Sequence, residues 1–391
     1  MISQLLYLEC PQCGKDYSAD VTKTYCICGS PLSAVYDLIS VIEDIHTNQF
    51  PSGINSMWRY SQLLPVNSPS FIFSLGEGWT PLLSTRRLGK HLGLRLLMVK
   101  DESQNPTGSF KDRGLCASIS KHSELGATSF AMPSAGNAAV SASAYAAAAG
   151  AECHIFMPSD TPELFFRDCE AYGAKTIRLE GTISDSASAM AKRNADWTDL
   201  STTKEPYRVE GKKTLAFEIA EQLGWRVPNA IICPTGGGTA LIGIWKGLHE
   251  LEALGLIDAH RPRLYAAQSA GCAPVVRAIE RNTENIEPWP DSQTKALGLK
   301  VPSPFAGRLI LAAIRGSGGS AVAVAEQEIE PCRRIAARME GLNLCPEAAV
   351  GLAGLRNLVE MGEIDYDEEV VLINTGSGAR YYYNSKAEPT D

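Results

Sequence analysis

The strongest constraint on the fold is an alternation that runs from about residue 75 to about residue 380, in which short apolar runs separate longer segments of helical period. Strands that alternate with helices predict parallel sheets covered by helices on both faces. The chain has 391 residues, so we expect an α/β fold with one or two doubly wound units. The runs that predict strands are Leu94–Val99, Ser129–Met132, His154–Met157, Thr176–Leu179, Ala230–Cys233, Leu264–Ala267 and Val370–Ile373.

Residues 1–40 form a different zone, which is polar and rich in cysteine. Cys10 and Cys13 make a C-x2-C pair, and Cys26 and Cys28 follow as a C-x-C pair. Four thiolates at such spacing suit one tetrahedral Zn²⁺ ion, although the second pair is one residue shorter than usual. Two alternatives to zinc remain open: a rubredoxin-like iron site, which uses similar ligands, and a module that has lost its metal. We predict a zinc-ribbon-like module with no catalytic role.

Composition and charge narrow the classes of partner. Lys and Arg number 36 against 44 Asp and Glu, so the net charge of −8 disfavours nucleic acid and anionic membranes. No apolar stretch approaches the roughly 18 residues of a spanning helix. The first ten residues lack the basic lead and apolar core of a signal peptide. The scattered cysteines suit a reducing compartment, so we expect a cytoplasmic protein without nucleic-acid or membrane partners.

Ligands of open parallel sheets bind where strands end, and three predicted strands end in unusual loops. Ser134 and Asn137 offer polar side chains at the start of an alanine-rich helix, where unpaired N–H groups are also present. Thr375 lies in a loop with two glycines after the last strand. The remaining loop carries three glycines whose amides can turn toward an anion ahead of a helix. Its residues are Gly236, Gly237, Gly238 and Thr239.

Lys111 lies in the turn-rich segment Lys100–Gly114, in the first turn of a predicted helix. The positive end of the helix dipole and a nearby cation both lower the pKa of an amine. A neutral amine is the form that attacks an aldehyde, so Lys111 is a candidate nucleophile, although most lysines are solvated surface charges.

Taken together, these segments resemble the fold-type II pyridoxal-phosphate-dependent enzymes, and among them the threonine synthase family. The resemblance covers essentially the whole chain. It rests on the following blocks: Tyr36–Leu38, Trp58–Tyr60, Gly76–Leu82, Asn105–Gly114, Pro133–Asn137, Pro206–Thr214 and Asn374–Gly378.

The resemblance implies pyridoxal 5'-phosphate as cofactor. Lys111 would hold the cofactor covalently and then move protons as general base and acid. Asn137 would donate a hydrogen bond to the ring hydroxyl, and the glycine loop with Thr239 would bind the phosphate. Thr375 would face the ring nitrogen, where a hydroxyl in place of a carboxylate favours elimination over transamination.

The resemblance further implies conversion of O-phospho-L-homoserine and water to L-threonine and phosphate, the last step of threonine biosynthesis. Arg208 would bind the substrate phosphate through its forked guanidinium, and Ser134 would help bind the carboxylate or phosphate. The implied architecture is two open, mostly parallel sheets flanked by helices. It places a catalytic region at 41–391, with a smaller subdomain at roughly 115–195 inserted in the larger one, and a homodimer is expected.

Three positions depart from the family pattern. Ser377 stands where histidine is common, Glu205 stands where asparagine often precedes the proline, and Arg380 stands where lysine is common. The first two keep other reactions open. One alternative is a serine or threonine dehydratase. Another is a synthase that forms cysteate or cysteine from phosphoserine or phosphohomoserine. A non-enzymatic zinc-ribbon adaptor is disfavoured by the acidic charge and by the intact Lys111 segment.

Overall fold

The computed structural model describes residues 3–47, 49–193 and 196–384 of the chain. They form two compact units. The first unit comprises Met1–Trp79, Asn105–Glu221 and Ile242–Ala259, and the second comprises Thr80–Gln104, Gln222–Leu241 and His260–Asp391. The domain boundaries drawn from the sequence stay predictions, and three of their ends, residues 1, 195 and 391, lie outside the described residues.

The structure contains strands, α-helices and short 3-10 helices in the alternation that the sequence predicts. The strands are β1 (Leu5–Glu9), β2 (Asp16–Ser18), β3 (Ser33–Tyr36), β4 (Leu82–Ser84), β5 (Leu96–Asp101), β6 (Ser129–Pro133), β7 (Glu152–Pro158), β8 (Lys175–Leu179), β9 (Thr198–Asp199), β10 (Ala230–Pro234), β11 (Arg263–Ser269), β12 (Ala321–Val324) and β13 (Glu369–Asn374). The α-helices are α1 (Leu38–His46), α2 (Arg86–His91), α3 (Lys111–Glu124), α4 (Asn137–Ala148), α5 (Glu163–Ala171), α6 (Ile183–Lys192), α7 (Tyr207–Gln222), α8 (Thr239–Ala253), α9 (Pro274–Glu280), α10 (Gly307–Gly316), α11 (Glu326–Glu340) and α12 (Pro346–Glu360). The 3-10 helices are Met57–Leu63, Pro69–Phe71, Glu102–Gln104, Leu297–Leu299 and Gly378–Asn384.

The first unit contains two sheets. The amino-terminal module is a three-stranded antiparallel sheet in the order β2-β1-β3. The other sheet has four strands in the order β8-β7-β6-β9, and all its pairings are parallel. Phe130, Ile155 and the small residues of α4 belong to a buried apolar core beside this sheet.

The second unit is built on one six-stranded sheet in the order β12-β11-β10-β13-β5-β4. Its pairings are parallel except at the edge, where β4 runs antiparallel to β5. The strands β10 and β13 are completely buried, as the apolar runs predict for a parallel sheet covered on both faces. Helix α12 packs on these central strands.

The fold class predicted from the sequence is confirmed: each predicted apolar run lies in or overlaps a strand, with Leu94–Val99 beginning two residues before β5, and parallel pairing dominates both larger sheets. Among the described residues, no helix has both the length and the apolar character that a membrane crossing requires.

Helices α3 and α7 of the first unit cross at a pair of glycines. A Cβ atom added to Gly211 would lie 1.9 Å from the backbone oxygen of Arg113, and one added to Gly114 would lie 2.8 Å from the backbone oxygen of Arg208. Because each clash is with backbone, no rotamer change can relieve it. The glycines therefore set the distance between the two helices that carry Lys111 and Arg208.

The Gly211→Ala substitution should destabilise the protein even though alanine is the better helix former. The helical preference gains about 1 kcal/mol, whereas forcing packed elements apart costs up to about 3 kcal/mol. We expect a net loss near 2 kcal/mol, seen as a lower urea midpoint. Gly53→Ala, where nothing lies within 4 Å of the added atom, is the matched control and should leave the midpoint unchanged. An unshifted midpoint in Gly211→Ala would show that the helices are not held at this distance.

Candidate active site

Lys111 is the first residue of α3. The residue after it, Asp112, holds the preceding loop in place through hydrogen bonds. The buried Asp112 carboxylate accepts hydrogen bonds from the backbone N–H of Thr107 at 2.7 Å and from its hydroxyl at 2.5 Å. Burial raises the pKa of Asp112, and hydrogen bonds from Thr107 and Ser141 only partly offset this. The half-buried Lys111 holds its Nζ atom 4.7 Å from the centroid of the Phe110 ring.

A second lysine approaches the same aromatic ring. Lys212 of α7 is fully buried and places its Nζ atom 4.0 Å from the Phe110 centroid. Lys111 and Lys212 therefore contact the same aromatic ring, and the sequence alone did not single Lys212 out.

Helices α3 and α7 are also joined by a buried ion pair. Arg113 donates to Glu218 at 2.5 Å, and both side chains have no exposed surface. Arg113 also donates to the hydroxyl of Thr214 at 2.9 Å. The Glu218 carboxylate accepts the backbone N–H of Trp79 at 2.7 Å as well. A guanidinium that makes several bonds in a dry site orients the helix start that carries Lys111.

Ser134 and Asn137 lie where β6 leads into α4. Ser134 is buried, and its backbone N–H donates to the oxygen of Phe156 at 3.1 Å. Asn137 is the first residue of α4. Helices α3 and α4 pack together, so Lys111 and Asn137 begin two neighbouring helices of one unit.

Arg208 is the second residue of α7 and is 1% exposed. Its Nη1 atom donates to the backbone oxygen of Leu200 at 2.6 Å. Within the described residues, its Nε and Nη2 atoms make no hydrogen bond. Burial lowers the pKa of Arg208, and the carboxylates of Glu205 and Asp199 act in the opposite direction. Buried guanidinium N–H groups are costly to leave unbonded, so they mark a place for an acceptor.

Glu205, which departs from the family pattern, caps the helix that carries Arg208. Its buried carboxylate accepts the backbone N–H of Tyr207 at 2.9 Å and that of Arg208 at 3.0 Å. The Ser118 hydroxyl donates to the same carboxylate at 2.8 Å. A carboxylate at the positive end of a helix is stabilising. Its acceptor sites are therefore occupied by the helix start rather than directed at an anion.

A cluster of charges is buried one turn further along α7. Glu210 contacts Lys213 at 2.8 Å and also pairs with Lys246 of α8 at 2.5 Å. Glu250 completes the cluster, 2.8 Å from Lys213. The ring of Tyr36, the last residue of β3, lies 3.8 Å from the Lys213 Nζ atom. The amino-terminal module thus packs against the charged helix.

In the second unit, the glycine loop after β10 can be built only from small residues. A Cβ atom on Gly236 would lie 2.5 Å from the oxygen of Gly298. Gly238 has a φ of +77°, and its Cβ atom would lie 2.3 Å from the Ile310 side chain. Within the described part of the chain, the amides of Gly236, Gly237 and Gly238 donate no hydrogen bond. Thr239 begins α8 directly after them, so the loop has the form of an anion cradle.

Thr375 follows the neighbouring strand β13, at the same carboxyl edge as the glycine loop. Its hydroxyl lies 3.3 Å from the sulfur of Cys345. Burial raises the pKa of Cys345 far above its usual value, so this thiol stays protonated. Sequence reasoning missed Cys345, since nothing in its local pattern distinguishes it from the other buried cysteines.

The sequence-predicted residues therefore fall into three groups. Lys111, Ser134, Asn137 and Arg208 belong to the first unit, and Thr375 belongs with the glycine loop and Thr239 to the second. The third group comprises the cysteines of the amino-terminal module, whose sulfur atoms lie within 4.8 Å of one another.

Comparison with known proteins identifies the family. Residues 73–376 match the model of the pyridoxal-phosphate dependent enzyme family. The threonine synthase of Methanocaldococcus jannaschii is 37% identical over 95% of this chain and 92% of its own length. That of Methanosarcina acetivorans is 36% identical over 95% and 91%. The solved structure of threonine deaminase isoform 2 from Solanum lycopersicum has a TM-score of 0.65, is 20% identical and covers 91% of this chain and 94% of that chain.

The Glu210→Gln substitution should destabilise the protein at neutral pH by about 3–5 kcal/mol, because Lys213 would lose a buried counter-charge. Burial raises the pKa of Glu210, but Lys213 and Lys246 outweigh it and hold that pKa below 4.5. A carboxyl group with a lowered pKa stabilises the fold above its unfolded pKa, and this contribution is lost as the pH falls through the folded value.

The stability deficit of Glu210→Gln should therefore shrink as the pH falls below about 4.5, the ordinary value for glutamate. Urea unfolding at a series of pH values measures it. Asp258→Asn removes an exposed carboxylate and serves as the control, with little effect expected at any pH. A deficit that stays constant with pH would contradict the assignment of this carboxylate as ionised in the cluster.

Proposed function

The chain belongs to the pyridoxal-phosphate-dependent enzymes and, within them, to the threonine synthases, and we propose that it converts O-phospho-L-homoserine and water to L-threonine and phosphate. This is a carbon–oxygen lyase reaction on a phosphate ester, and it completes threonine biosynthesis. The observation that carries the proposal is the buried guanidinium of Arg208, whose Nε and Nη2 atoms have no hydrogen-bond acceptor among the described residues.

The residues present fit the cofactor. The glycine loop offers amides without acceptors at a helix start, which suits a phosphate group. The half-buried Lys111 amine lies beside the Phe110 ring, which the buried Lys212 also contacts, and an amine of this kind can condense with an aldehyde. Thr375 offers a hydroxyl beside a protonated thiol. When bound, the cofactor supplies the electron-accepting ring that stabilises carbanions next to the amino group.

Lys111 is the proposed acid and base. Its neutral Nζ atom would take the proton from the α-carbon of the substrate, give that proton up, and then, neutral again, take a proton from the β-carbon. Loss of phosphate from the γ-carbon then leaves an unsaturated side chain. The Lys111 ammonium would return a proton to the γ-carbon, which becomes a methyl group. The hydroxyl of water adds at the β-carbon while the remaining proton of that water goes to the released phosphate, and a proton returns to the α-carbon. A single amine that alternates between two states performs these transfers without a second catalytic base.

Arg208 is the proposed ligand of the substrate phosphate. Its Nη1 atom is held by Leu200, which leaves Nε and Nη2 to donate to phosphate oxygens as a fork. Glu205 does not compete for this role, because it accepts the N–H groups at the start of α7. Ser134 and Asn137, at the start of α4, are assigned to the substrate and to the cofactor ring hydroxyl respectively.

We also propose a cytoplasmic location and a homodimeric enzyme. All eleven cysteines are free, as expected in a reducing compartment.

The Lys111→Ala variant should lose the visible absorption band of lysine-bound cofactor and lower the turnover by at least about 100-fold. Borohydride treatment of the wild-type protein should fix the cofactor on Lys111, which peptide mass spectrometry can locate. Lys192→Ala, which removes an exposed lysine of α6, is the control and should keep both the band and the activity. Labelling at a different lysine would refute the assignment.

The reaction itself is tested by two assays run side by side. We expect release of inorganic phosphate and threonine from O-phospho-L-homoserine, and little 2-oxobutanoate from threonine. The reverse result would favour a dehydratase, the alternative that Ser377 and Glu205 kept open. Neither assay result alters the expectation for Lys111, so the cofactor and the substrate assignments are tested separately.

The Arg208→Lys variant should lower kcat/KM for the phosphorylated substrate by about 10- to 100-fold, since a lysine cannot replace two hydrogen bonds from a charged fork. The loss should appear mainly in KM, and inhibition by inorganic phosphate should weaken in parallel. Arg226→Lys changes a side chain that is 57% exposed and is the control. Unchanged inhibition by phosphate in Arg208→Lys would remove this residue from the substrate site.

A further inference from the structure

We propose that Cys10, Cys13, Cys26 and Cys28 bind one Zn²⁺ ion, which closes the amino-terminal module as a structural centre. Their sulfur atoms all lie within 4.8 Å of one another. The distance is 3.5 Å between Cys10 and Cys28 and again 3.5 Å between Cys13 and Cys26. A tetrahedral ion with Zn–S bonds of about 2.3 Å places its sulfurs about 3.8 Å apart, so small adjustments suffice. All four cysteines are free rather than joined in disulfides.

Both cysteine pairs lie on loops of the same construction. Gly14 has a φ of +67° and donates to the oxygen of Cys10 at 2.9 Å, and Gly29 has a φ of +86° and donates to the oxygen of Cys26 at 2.9 Å. In each loop the second cysteine directly precedes the left-handed glycine. The shorter spacing of the second pair therefore keeps the turn that brings two sulfurs to one side of the chain.

The surroundings suit the charge of such a centre. Four thiolates and Zn²⁺ carry a net charge of about −2. The hydroxyl of Tyr17 lies 3.2 Å from the Cys26 sulfur and accepts the N–H of Ile27 at 3.1 Å, which leaves its own proton to be donated to a thiolate. Lys15 and Lys23 place their Nζ atoms 5.6 Å and 5.0 Å from the centroid of the Tyr17 ring. These cations offset the negative charge, and such outer contacts orient metal ligands.

The chemistry of the donors favours zinc over iron. Tetrahedral sites of four sulfurs hold either metal, but divalent zinc binds a given set of ligands more tightly than divalent iron. Cys13 and Cys28 are exposed to solvent. A metal without redox chemistry suits a centre that water reaches.

The ion has a structural consequence for the rest of the first unit. The backbone N–H of Cys26 donates to the backbone oxygen of Ser30 at 2.9 Å, and β3 begins at Ser33. The same strand ends at Tyr36, whose ring covers the buried Lys213 of α7. Closure of the second cysteine loop by a metal therefore fixes the start of the strand that covers the charged cluster.

Metal analysis of the untagged full-length protein, purified without added metal or chelator, tests the proposal. We expect one zinc per chain, and loss of most of it in Cys13→Ser and Cys28→Ser, which change the exposed ligands. Cys332→Ser makes the same chemical change in α11 and should keep the zinc. A chain that contains iron, or that contains no metal and takes up none, would overturn the proposal.

Cobalt substitution gives an answer that does not depend on the variants folding. Wild-type protein stripped with a chelator and reloaded with Co²⁺ should show the visible absorption of a tetrahedral four-thiolate site, and zinc should displace the signal. The stripped protein should also have a lower Tm than the zinc-loaded protein. Spectra of an octahedral or nitrogen-rich site, or an unchanged Tm, would contradict a structural four-cysteine centre.

Discussion

The buried ion pair between Arg113 and Glu218 is the interaction on which the candidate active-site helices of the first unit depend. It joins α3 to α7 at the place where Gly114 and Gly211 let the two backbones touch. Because of this contact, the helix that begins with Lys111 and the helix that carries Arg208 have a fixed relation within the unit. Losing either partner would leave a charge in a dry environment, which is far more costly than losing a surface pair.

Helix α7 is rich in charged residues and is nevertheless buried within the first unit. Arg208, Glu210, Lys212 and Lys213 are all buried, a rare state for charged residues. Carboxylates and lysines from two helices form ion pairs in the cluster around Glu210. Such an arrangement contributes little net stability compared with apolar packing, but it defines which side chains can occupy each position. The segment therefore fixes the positions of its side chains more than it adds stability.

The sequence predicted the alternation of strands and helices well, because the central strands are buried on both faces and read as continuous apolar runs. The first turns of α7, from Tyr207 onward, are rich in charged side chains that are nevertheless buried, so they show no apolar period from which a helix could be predicted. The short strands β4, β9 and β12 were also not predicted, because a strand of so few residues is too short to show an alternating apolar pattern. Motif residues such as Lys111 and Thr375 were found by their pattern, whereas Lys212 and Cys345 become relevant only through tertiary neighbours.

Helix α4 buries every residue from Ala138 to Ala146, and nearly all of them are alanine, serine or valine. It packs against α3, α5 and strands β6 and β7. A helix enclosed on all sides by close neighbours has no face on which a larger side chain could be accommodated. Divergence along this helix is thus restricted to exchanges that keep the side-chain volume at each position, unless a neighbouring element gives up an equal volume in a compensating change.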